Sequence, residues 1–271
     1  MIVELAQLPG VDGDIPANTA SALDAIARCG PDTRLLVFPE TYLSGFPTAD
    51  NIAALAQPIA GPAIRTIQQA AREKNISIAI GFAEAHEGRF YNTTALLTPQ
   101  GVALAYRKTH LWASDHGIFT PGDALVSCEW EGLRVGILIC FDIEFPETAR
   151  ALAQQEVDLL IVTNGNMDPY GPVHRTAITA RAMENQLFAV MTNRCGSGDG
   201  LQFAGESAVI NPFGQVVASC GRDPQQLRVA LDLTQLEASR RDYCYLQDRR
   251  IALAGEVING ENGQRSFRIR H

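Results

Sequence analysis

The most informative stretch of the sequence lies at residues 133–147, LRVGILICFDIEFPE. Its apolar run Leu133–Ile139 predicts a buried strand, and the Phe-Pro-Glu that closes the stretch predicts the start of a helix. Cys140 therefore falls between a strand end and a helix start, where free backbone N–H groups favour a thiolate. The N–H of Phe141 is placed to stabilise a developing oxyanion. The alternative for such an isolated cysteine is a buried structural thiol.

Short apolar runs alternate with helical segments along the rest of the chain, which is typical of an α/β layered domain. Eight runs are predicted to be strands: 1–8, 35–38, 76–82, 91–97, 133–139, 158–163, 187–192 and 208–211. Four segments have the spacing of amphipathic helices: 19–29, 61–74, 145–155 and 173–186. Two mixed β-sheets packed face to face and flanked by helices, a four-layer αββα sandwich, would use all of these elements.

Turn residues and the distribution of composition indicate how the chain is organised. Pro99–Gly101 and Asn211–Gly214 predict hairpins, so part of the strand pairing is antiparallel. No Ser-, Gly- or Pro-rich linker divides the sequence, so residues 1–271 are predicted to form one domain. The last stretch, 240–271, is rich in Arg, Tyr and Asn and has little apolar periodicity. We expect it to be a tail that contacts a partner subunit.

Composition and charge argue against several classes of function. The chain has 271 residues, 46% of them hydrophobic, and a formal net charge of −8. No basic run suggests nucleic acid or an anionic membrane as a partner. No segment has the length of a membrane span or the order of a secretion signal, so we expect a cytoplasmic protein that acts on a small molecule. The six cysteines and five histidines show no metal-ligand spacing, so neither a metal nor a cofactor is predicted.

Two further apolar runs lead to a charged residue that a core would not contain. The run Leu35–Phe38 leads to Glu40, and a strand-like run from Ala103 leads to Lys108. Alone, each charge would be interpreted as an ordinary surface residue. Together with Cys140 they supply a base, a cation and a nucleophile, the set that cysteine-dependent acyl transfer requires.

With these blocks the chain resembles the carbon–nitrogen hydrolase family, also called the nitrilase superfamily, over nearly its whole length. The similar blocks occur in this order: FPE at 38–40, RKTHL at 107–111, FTPGD at 119–123, CFDIEFPE at 140–147, ARAMEN at 180–185, NRCG at 193–196, GES at 205–207 and YLQDRR at 245–250. The resemblance implies an αββα sandwich, a homo-oligomer such as a dimer, and a catalytic triad of Glu40, Lys108 and Cys140. Cys140 would form a thioester, Glu40 would act as base and then acid, and Lys108 with the Phe141 N–H would hold the oxyanion.

The family often has a second glutamate in the loop after the lysine, and this chain departs from that pattern. Asp115, four residues before Phe119, stands at that position with a carboxylate one methylene shorter. Two interpretations stay open. Asp115 either takes the auxiliary role of positioning the substrate or the attacking water, or it caps a turn of the loop.

Residues that follow the strand of Cys140 and its neighbour are candidates for substrate contact. Asn164 ends the neighbouring predicted strand, so Asn164 and the loop 165–170 are expected to face the pocket. In that loop, Asp168 suggests a substrate that bears an amine, as does Glu144, although both carboxylates could equally pair with an arginine. Trp112 is expected to be a packing residue or a loop anchor rather than part of a substrate cage.

The resemblance also bears on the type of bond that is cleaved. Nitrilases resemble Cys-Trp-Glu after the nucleophile, whereas Cys140-Phe141-Asp142 is similar to the amidase and carbamoylase branches. Carbamoylases carry a basic pair where this chain has Ile143 and Glu144, so a substrate with a carboxylate is disfavoured. The predicted function is therefore hydrolysis of an amide bond of a small molecule, such as an amino-acid amide, with release of ammonia or an amine.

Several alternatives stay open from the sequence. Within the enzymes they are an N-carbamoyl amidohydrolase, an ω-amidase and a nitrilase. A different class is a catalytically inactive binding member of the same fold, against which the intact Glu40, Lys108 and Cys140 argue. The acyl group, the leaving group and the stereopreference are not predicted.

Overall fold

Two mixed β-sheets form the inner layers of the structure, a computed structural model that describes residues 1–269. The first sheet contains β1 Ile2–Gln7, β2 Thr33–Val37, β3 Ser77–His86, β4 Arg89–Thr98, β5 Gly101–Arg107 and β14 Gln225–Ala230. Their spatial order is β14-β1-β2-β3-β4-β5. The strands β1, β2 and β3 are parallel, and the outer neighbours pair antiparallel.

The second sheet contains residues 133–139, the apolar run that leads to Cys140. It contains β6 Ala124–Trp130, β7 Leu133–Ile139, β8 Leu159–Asn164, β9 Phe188–Asn193, β12 Ala208–Ile210, β13 Val216–Ser219, β15 Val257–Asn259 and β16 Arg265–Arg268. A separate hairpin consists of β10 Cys195–Gly198 and β11 Leu201–Ala204. The order of the sheet is β13-β12-β9-β8-β7-β6-β16-β15, and β7, β8 and β9 are parallel. The carboxyl ends of these three strands therefore meet at one edge.

Helices cover the outer faces of the two sheets. Their bounds are α1 Ile15–Arg28, α2 Ile52–Leu55, α3 Pro62–Lys74, α4 Pro146–Ala153, α5 Gly171–Asn185, α6 Thr234–Arg241 and α7 Tyr245–Asp248, with 3-10 turns at Ala113–Asp115, Cys140–Glu144 and Glu261–Gly263. α1 and α3 pack on the first sheet, and α4 and α5 pack on the second. The predicted four-layer αββα sandwich is confirmed.

Apolar residues of both sheets form one continuous core between them. Leu35 and Val37 of β2 belong to the same buried cluster as Val135 and Ile137 of β7. Outward-facing neighbours on the strands, such as Leu36, pack instead under α1 and α3. Successive side chains of a strand therefore face the other sheet and the helices in turn. Because both faces of the strand are buried, its residues are apolar without interruption.

The first helix begins a full turn earlier than the sequence predicts. The sequence spacing places the first helix at 19–29, whereas α1 begins at Ile15. The side chain of Asp14 caps this start by accepting the Ala17 N–H at 2.9 Å, and Pro16 occupies the first turn. These capping residues determine the boundary, because the apolar residues of the first turn are too few to show a periodicity.

The stretch predicted to be a tail, 240–271, contains regular structure at both of its ends. Its beginning lies inside α6, and Arg265–Arg268 forms a strand beside β6 of the same chain, with Phe267 buried. A four-residue strand with one apolar side chain gives too little pattern to be recognised. The last two residues of that stretch, 270 and 271, lie outside the described part of the chain.

Among the helices of residues 1–269, none is long and apolar enough to cross a bilayer.

Candidate active site

Three strand ends bring the predicted triad together at one edge of the sandwich. β2 leads to Glu40, β5 ends one residue before Lys108, and β7 ends one residue before Cys140. The Nζ of Lys108 lies 2.8 Å from Oε1 of Glu40, and the Glu40 carboxylate and the Gly165 N–H both lie near enough to the Cys140 thiol to shift its pKa. All three triad residues line a cavity of about 540 Å³, and only 2% of Glu40 and of Lys108 is exposed.

Lys108 is held between two carboxylates. Its Nζ donates to Oε1 of Glu40 at 2.8 Å and to Oδ2 of Asp115 at 2.7 Å. Burial alone would lower the pKa of Lys108, but the two negative charges outweigh it and hold the pKa well above its usual value. Lys108 is therefore a fixed cation, as an oxyanion site requires.

Asp115 combines the two interpretations that the sequence left open. Its carboxylate contacts Lys108 inside the site, and it also accepts the backbone N–H of Trp112 at 2.9 Å, which caps the 3-10 turn of the loop. The shorter side chain reaches Lys108 because Asp115 lies in this turn and is buried. Asp115 therefore belongs to the charged group around Lys108.

The nucleophile lies on a strained turn. Cys140 has a φ of +46°, a left-handed conformation that side-chain-bearing residues rarely adopt. The buried carboxylate of Asp142 stabilises the turn by accepting hydrogen bonds from the Ile139 N–H (3.1 Å), the His110 N–H (2.9 Å), the Tyr106 hydroxyl (2.7 Å) and the Thr109 hydroxyl (2.8 Å), and Nδ1 of His110 also lies 3.0 Å from it. The turn thus presents the thiol at the end of β7 toward the cavity.

The protonation of the thiol differs from the sequence expectation. Burial raises the pKa of Cys140 well above its usual value and the charge of Glu40 raises it further, whereas Lys108 and the Gly165 N–H lower it without compensating. The raised pKa runs against the expectation that free N–H groups favour a thiolate here, and α4 begins only at Pro146, after the 3-10 turn of residues 140–144. It favours the neutral thiol, next to a carboxylate that can accept its proton.

A glycine lets the strand ends approach closely. Gly165 follows β8, and a Cβ atom there would lie 2.4 Å from the Phe46 ring and 2.7 Å from Oε2 of Glu40. A side chain at this position would displace either the Phe46 ring or the Glu40 carboxylate. Gly165 can therefore bring its N–H to the thiol while Glu40 keeps its place.

Aromatic side chains form much of the cavity wall. They are Phe46, Trp112, Phe119, Phe141, Tyr170 and Phe203. Trp112 contacts the rings of Phe141 and Tyr170 edge-on, with centroids 5.1 and 5.5 Å apart. Trp112 packs on these rings, as expected of a packing residue or loop anchor, and it also lines the cavity.

The residues predicted to contact substrate fall into different places. Phe141 is the second residue of the 3-10 turn, where the N–H has no partner inside the turn. Glu144 and Asp168 both line the cavity. Asn164 does not: its side chain contacts Met191 at 3.5 Å and points away, and Gly165 and Asn166 line the cavity instead. The structure therefore contradicts the prediction for Asn164. The direction of this side chain depends on the orientation of the last peptide of β8.

Sequence reasoning missed three buried polar residues of the site. Asn92 donates to Oε1 of Glu40 at 2.8 Å, Asp142 holds the nucleophile turn, and His174 donates from Nε2 to Glu144 at 3.0 Å. Asn92 could have been found, because it is a polar residue inside the apolar run of β4. His174 gives no such signal, since polar residues are common on an amphipathic helix.

Across residues 1–269, no group of three or more His, Cys, Asp or Glu side chains is arranged to hold a metal ion. The cationic group in the site is the ammonium of Lys108.

Comparison with known proteins identifies relatives across the whole chain. The family model for carbon–nitrogen hydrolases matches residues 3–241. A protein of Pseudomonas sp. named (R)-stereoselective amidase is 57% identical over 270 residues, which cover 99% of this chain and 98% of that protein.

Solved structures give the same result. The protein XC1258 from Xanthomonas campestris, described as a CN-hydrolase superfamily protein with an arsenic adduct in the active site, matches with a TM-score of 0.88 at 25% identity, covering 94% of this chain and 99% of that chain. A mutant of the amidase from Nesterenkonia sp. AN1 matches with a TM-score of 0.82 at 28% identity, covering 92% and 94%. That structure shows the acetamide moiety of fluoroacetamide added covalently at the active site cysteine.

Proposed function

The chain belongs to the carbon–nitrogen hydrolase family and is an amidase, and we propose that Glu40, Lys108 and Cys140 carry out its reaction. The observation that carries this proposal is the placement of Cys140 beside Glu40, with Lys108 fixed between Glu40 and Asp115, in one cavity. These are the nucleophile, the base and the cation that hydrolysis of an amide through a thioester requires.

The first half of the reaction forms the thioester. Glu40 takes the proton of the Cys140 thiol as Sγ attacks the carbonyl carbon, and a tetrahedral oxyanion forms. The ammonium of Lys108 and the N–H of Phe141 stabilise that oxyanion, and one such contact lowers the barrier by about 3–4 kcal/mol. Glu40 then gives its proton to the leaving nitrogen, so that ammonia or an amine departs and the acyl group remains on Sγ.

The second half returns the enzyme to its starting state. Glu40, again a carboxylate, takes a proton from water as the water oxygen attacks the thioester carbon. The same oxyanion contacts form, Sγ leaves, and the proton on Glu40 returns to it. The carboxylic acid product then departs.

The cavity supports a neutral or amine-bearing amide over the alternatives. Glu144 and Asp199 line it with carboxylates that would repel the carboxylate of an N-carbamoyl acid or of an ω-amidase substrate, whereas Asp168 is paired with Arg222. We also propose that hydrolysis distinguishes enantiomers, on the basis of the name of the Pseudomonas relative.

We further propose a homodimer in a reducing compartment such as the cytoplasm. The surface stretch after α6 exposes the stacked rings of Tyr243 and Tyr245, and Ile251 is 82% exposed, which a second copy would cover. The six cysteines are all unpaired thiols, as is usual in reducing compartments.

Ammonia release measured across matched panels of amides, N-carbamoyl amino acids and nitriles tests the proposed function. The expected result is fastest turnover on amides, with none by the Cys140→Ala variant in the same preparation. Faster turnover of an N-carbamoyl acid than of any amide, or equal ammonia release by Cys140→Ala, would contradict it.

A further inference from the structure

The carboxylate of Glu144 lies in the active-site cavity at a fixed place relative to the nucleophile. Glu144 ends the same 3-10 turn that begins at Cys140, and both side chains line the cavity. Arg181 of α5 anchors the end of the turn, because its Nε donates to the Ile143 carbonyl at 2.9 Å. The position of the carboxylate therefore does not depend on a mobile loop.

A single histidine orients this carboxylate. The Nε2–H of His174 donates to Oε1 of Glu144 at 3.0 Å, and His174 is 3% exposed. Among the hydrogen bonds within residues 1–269, the Glu144 carboxylate accepts only this one, which leaves Oε2 for a ligand in the cavity. Nδ1 of His174 is buried and has no partner in the same part of the chain. The pair is thus a polar group inside the site that the triad chemistry does not use.

Asp168, the other carboxylate that the sequence singled out, is in a different electrostatic situation. It forms an ion pair with Arg222, and about half of each side chain is exposed. Arginine is always charged, so the charge of Asp168 is neutralised at the solvent-facing rim. Histidine carries a charge only when protonated, so the negative charge of Glu144 is less fully balanced.

We propose that Glu144, oriented by His174, binds a protonated amine of the substrate, so that the preferred substrates are amides with an ammonium group next to the scissile carbonyl. This inference rests on the proposed amidase function and names its substrate class. It assigns the recognition of the amine to Glu144 and not to Asp168.

The same contact supplies a reason for stereoselectivity. Sγ of Cys140 fixes the carbonyl carbon, Lys108 with the Phe141 N–H fixes the carbonyl oxygen, and Glu144 fixes the ammonium. The remaining substituent of the carbon between carbonyl and amine then faces the aromatic wall in one enantiomer and not in the other. Without the contact to Glu144, that carbon can rotate and both enantiomers fit.

The test compares phenylalaninamide with 3-phenylpropanamide, which differs from it only by the missing amine. The measured quantity is the ratio of their kcat/KM values, which cancels any general loss of activity. We expect Glu144→Gln, which keeps the acceptor for His174, to lower this ratio about tenfold to a hundredfold, chiefly through KM, and to reduce the ratio between the phenylalaninamide enantiomers. The control Glu147→Gln removes the same charge from an exposed position nearby and keeps the ratio.

His174 is a positioning residue, and its variants give a second readout. His174→Gln can still donate a hydrogen bond to Glu144 and is expected to keep most of the preference for the amino amide, whereas His174→Leu loses it. If both variants fold and neither changes the preference, His174 does not orient Glu144.

Binding to the Cys140→Ala protein separates this inference from the chemistry. Calorimetry should show tighter binding of phenylalaninamide than of 3-phenylpropanamide, and the added change Glu144→Gln should remove the difference. Equal binding of the two amides to Cys140→Ala, or a preference removed by Asp168→Asn instead, would overturn the inference even if the wild type is an amidase. Preferential binding without hydrolysis of any amide by the wild type would uphold it and contradict the proposed function.

Discussion

Cys140 is subject to opposed electrostatic influences that predict how its reactivity depends on pH. Burial and the negative charge of Glu40 raise the pKa of the thiol, and Lys108 lowers it. Glu40→Gln removes a raising influence, so the pKa falls and alkylation by iodoacetamide begins at lower pH than in the wild type. Lys108→Met is the opposite control and moves the profile to higher pH. Mass spectrometry of the intact protein across a pH series gives the rates, and a Glu40→Gln profile displaced to higher pH would count against this account.

Lys108 is predicted to act by its charge and not as a nucleophile. Lys108→Ala should lower kcat about 10²- to 10³-fold, because the oxyanion loses its fixed cation. Steady-state kinetics measures this loss, with circular dichroism to confirm that the variant folds. Borohydride treatment of the wild type during turnover should leave Lys108 unmodified, and substrate trapped on its Nζ would refute the electrostatic role.

At the scale of residues, the sequence predicts the parts of the site that stand out locally. Glu40, Lys108 and Cys140 each follow an apolar run, so each can be identified from the sequence alone. The contacts of Asp142 and His174 join residues about 30 positions apart in the chain and depend on how elements pack. No spacing rule could have predicted those contacts, and for the same reason the direction of Asn164 was predicted wrongly.

The turn between β7 and α4 is an element whose stability depends on one buried carboxylate. Asp142→Ala leaves four donors without their acceptor, so we expect a loss of about 3 kcal/mol or more in the free energy of unfolding. Turnover should fall with it, because the turn positions Cys140. Urea unfolding measures the loss, and Asp24→Ala on the exposed face of α1 is the control. Equal stability of the two variants would show that Asp142 does not hold the turn.

A partly buried ion pair joins β3 to β5, the strand that ends one residue before Lys108. Arg107 donates to both oxygens of Glu84, at 2.7 and 2.8 Å, and Thr93 donates to one of them. Burial alone would raise the pKa of Glu84, but these partners outweigh it and lower the pKa. The stability that this shift provides is therefore present above the ordinary glutamate pKa and is lost as the pH falls through the lower, folded-state value.

Glu84→Gln tests that coupling. We expect it to cost about 1–3 kcal/mol near neutral pH, less than for a fully buried pair because Arg107 is partly exposed. The difference in Tm between variant and wild type should shrink as the pH falls below the ordinary pKa of glutamate. A difference that stays constant into acid would mean that the ionised form of Glu84 is not what stabilises the sheet.

Among the elements, most of the central apolar strands were predicted well, whereas β6, β14 and the short polar strands were missed. β7 has the bounds that the sequence predicted, Leu133–Ile139. The hairpin β10–β11 and the strands β15 and β16 were missed, since three or four residues carry too little alternation to exceed chance. The pairing of β16 with β6 joins segments more than 130 positions apart, which local pattern cannot reveal.

For the whole molecule, the proposed homodimer predicts a measurable change of mass on substitution. Sedimentation velocity at micromolar concentration should show a dimer, and Ile251→Asp should shift it toward monomer by placing a charge in an apolar contact. Val11→Asp, at another exposed apolar residue, is the matched control and should leave the dimer intact. A wild type that sediments as a monomer would exclude the proposal.

The central claim for the whole molecule is that its sandwich presents one cysteine out of six as the acylated nucleophile. The most direct measurement is peptide mapping by mass spectrometry of enzyme quenched with acid during turnover of an amide. The account predicts the mass of the acyl group on the peptide that contains Cys140, and no adduct in the Cys140→Ala variant. An acyl group on another cysteine or on Lys108, with Cys140 unmodified in the same sample, would contradict it.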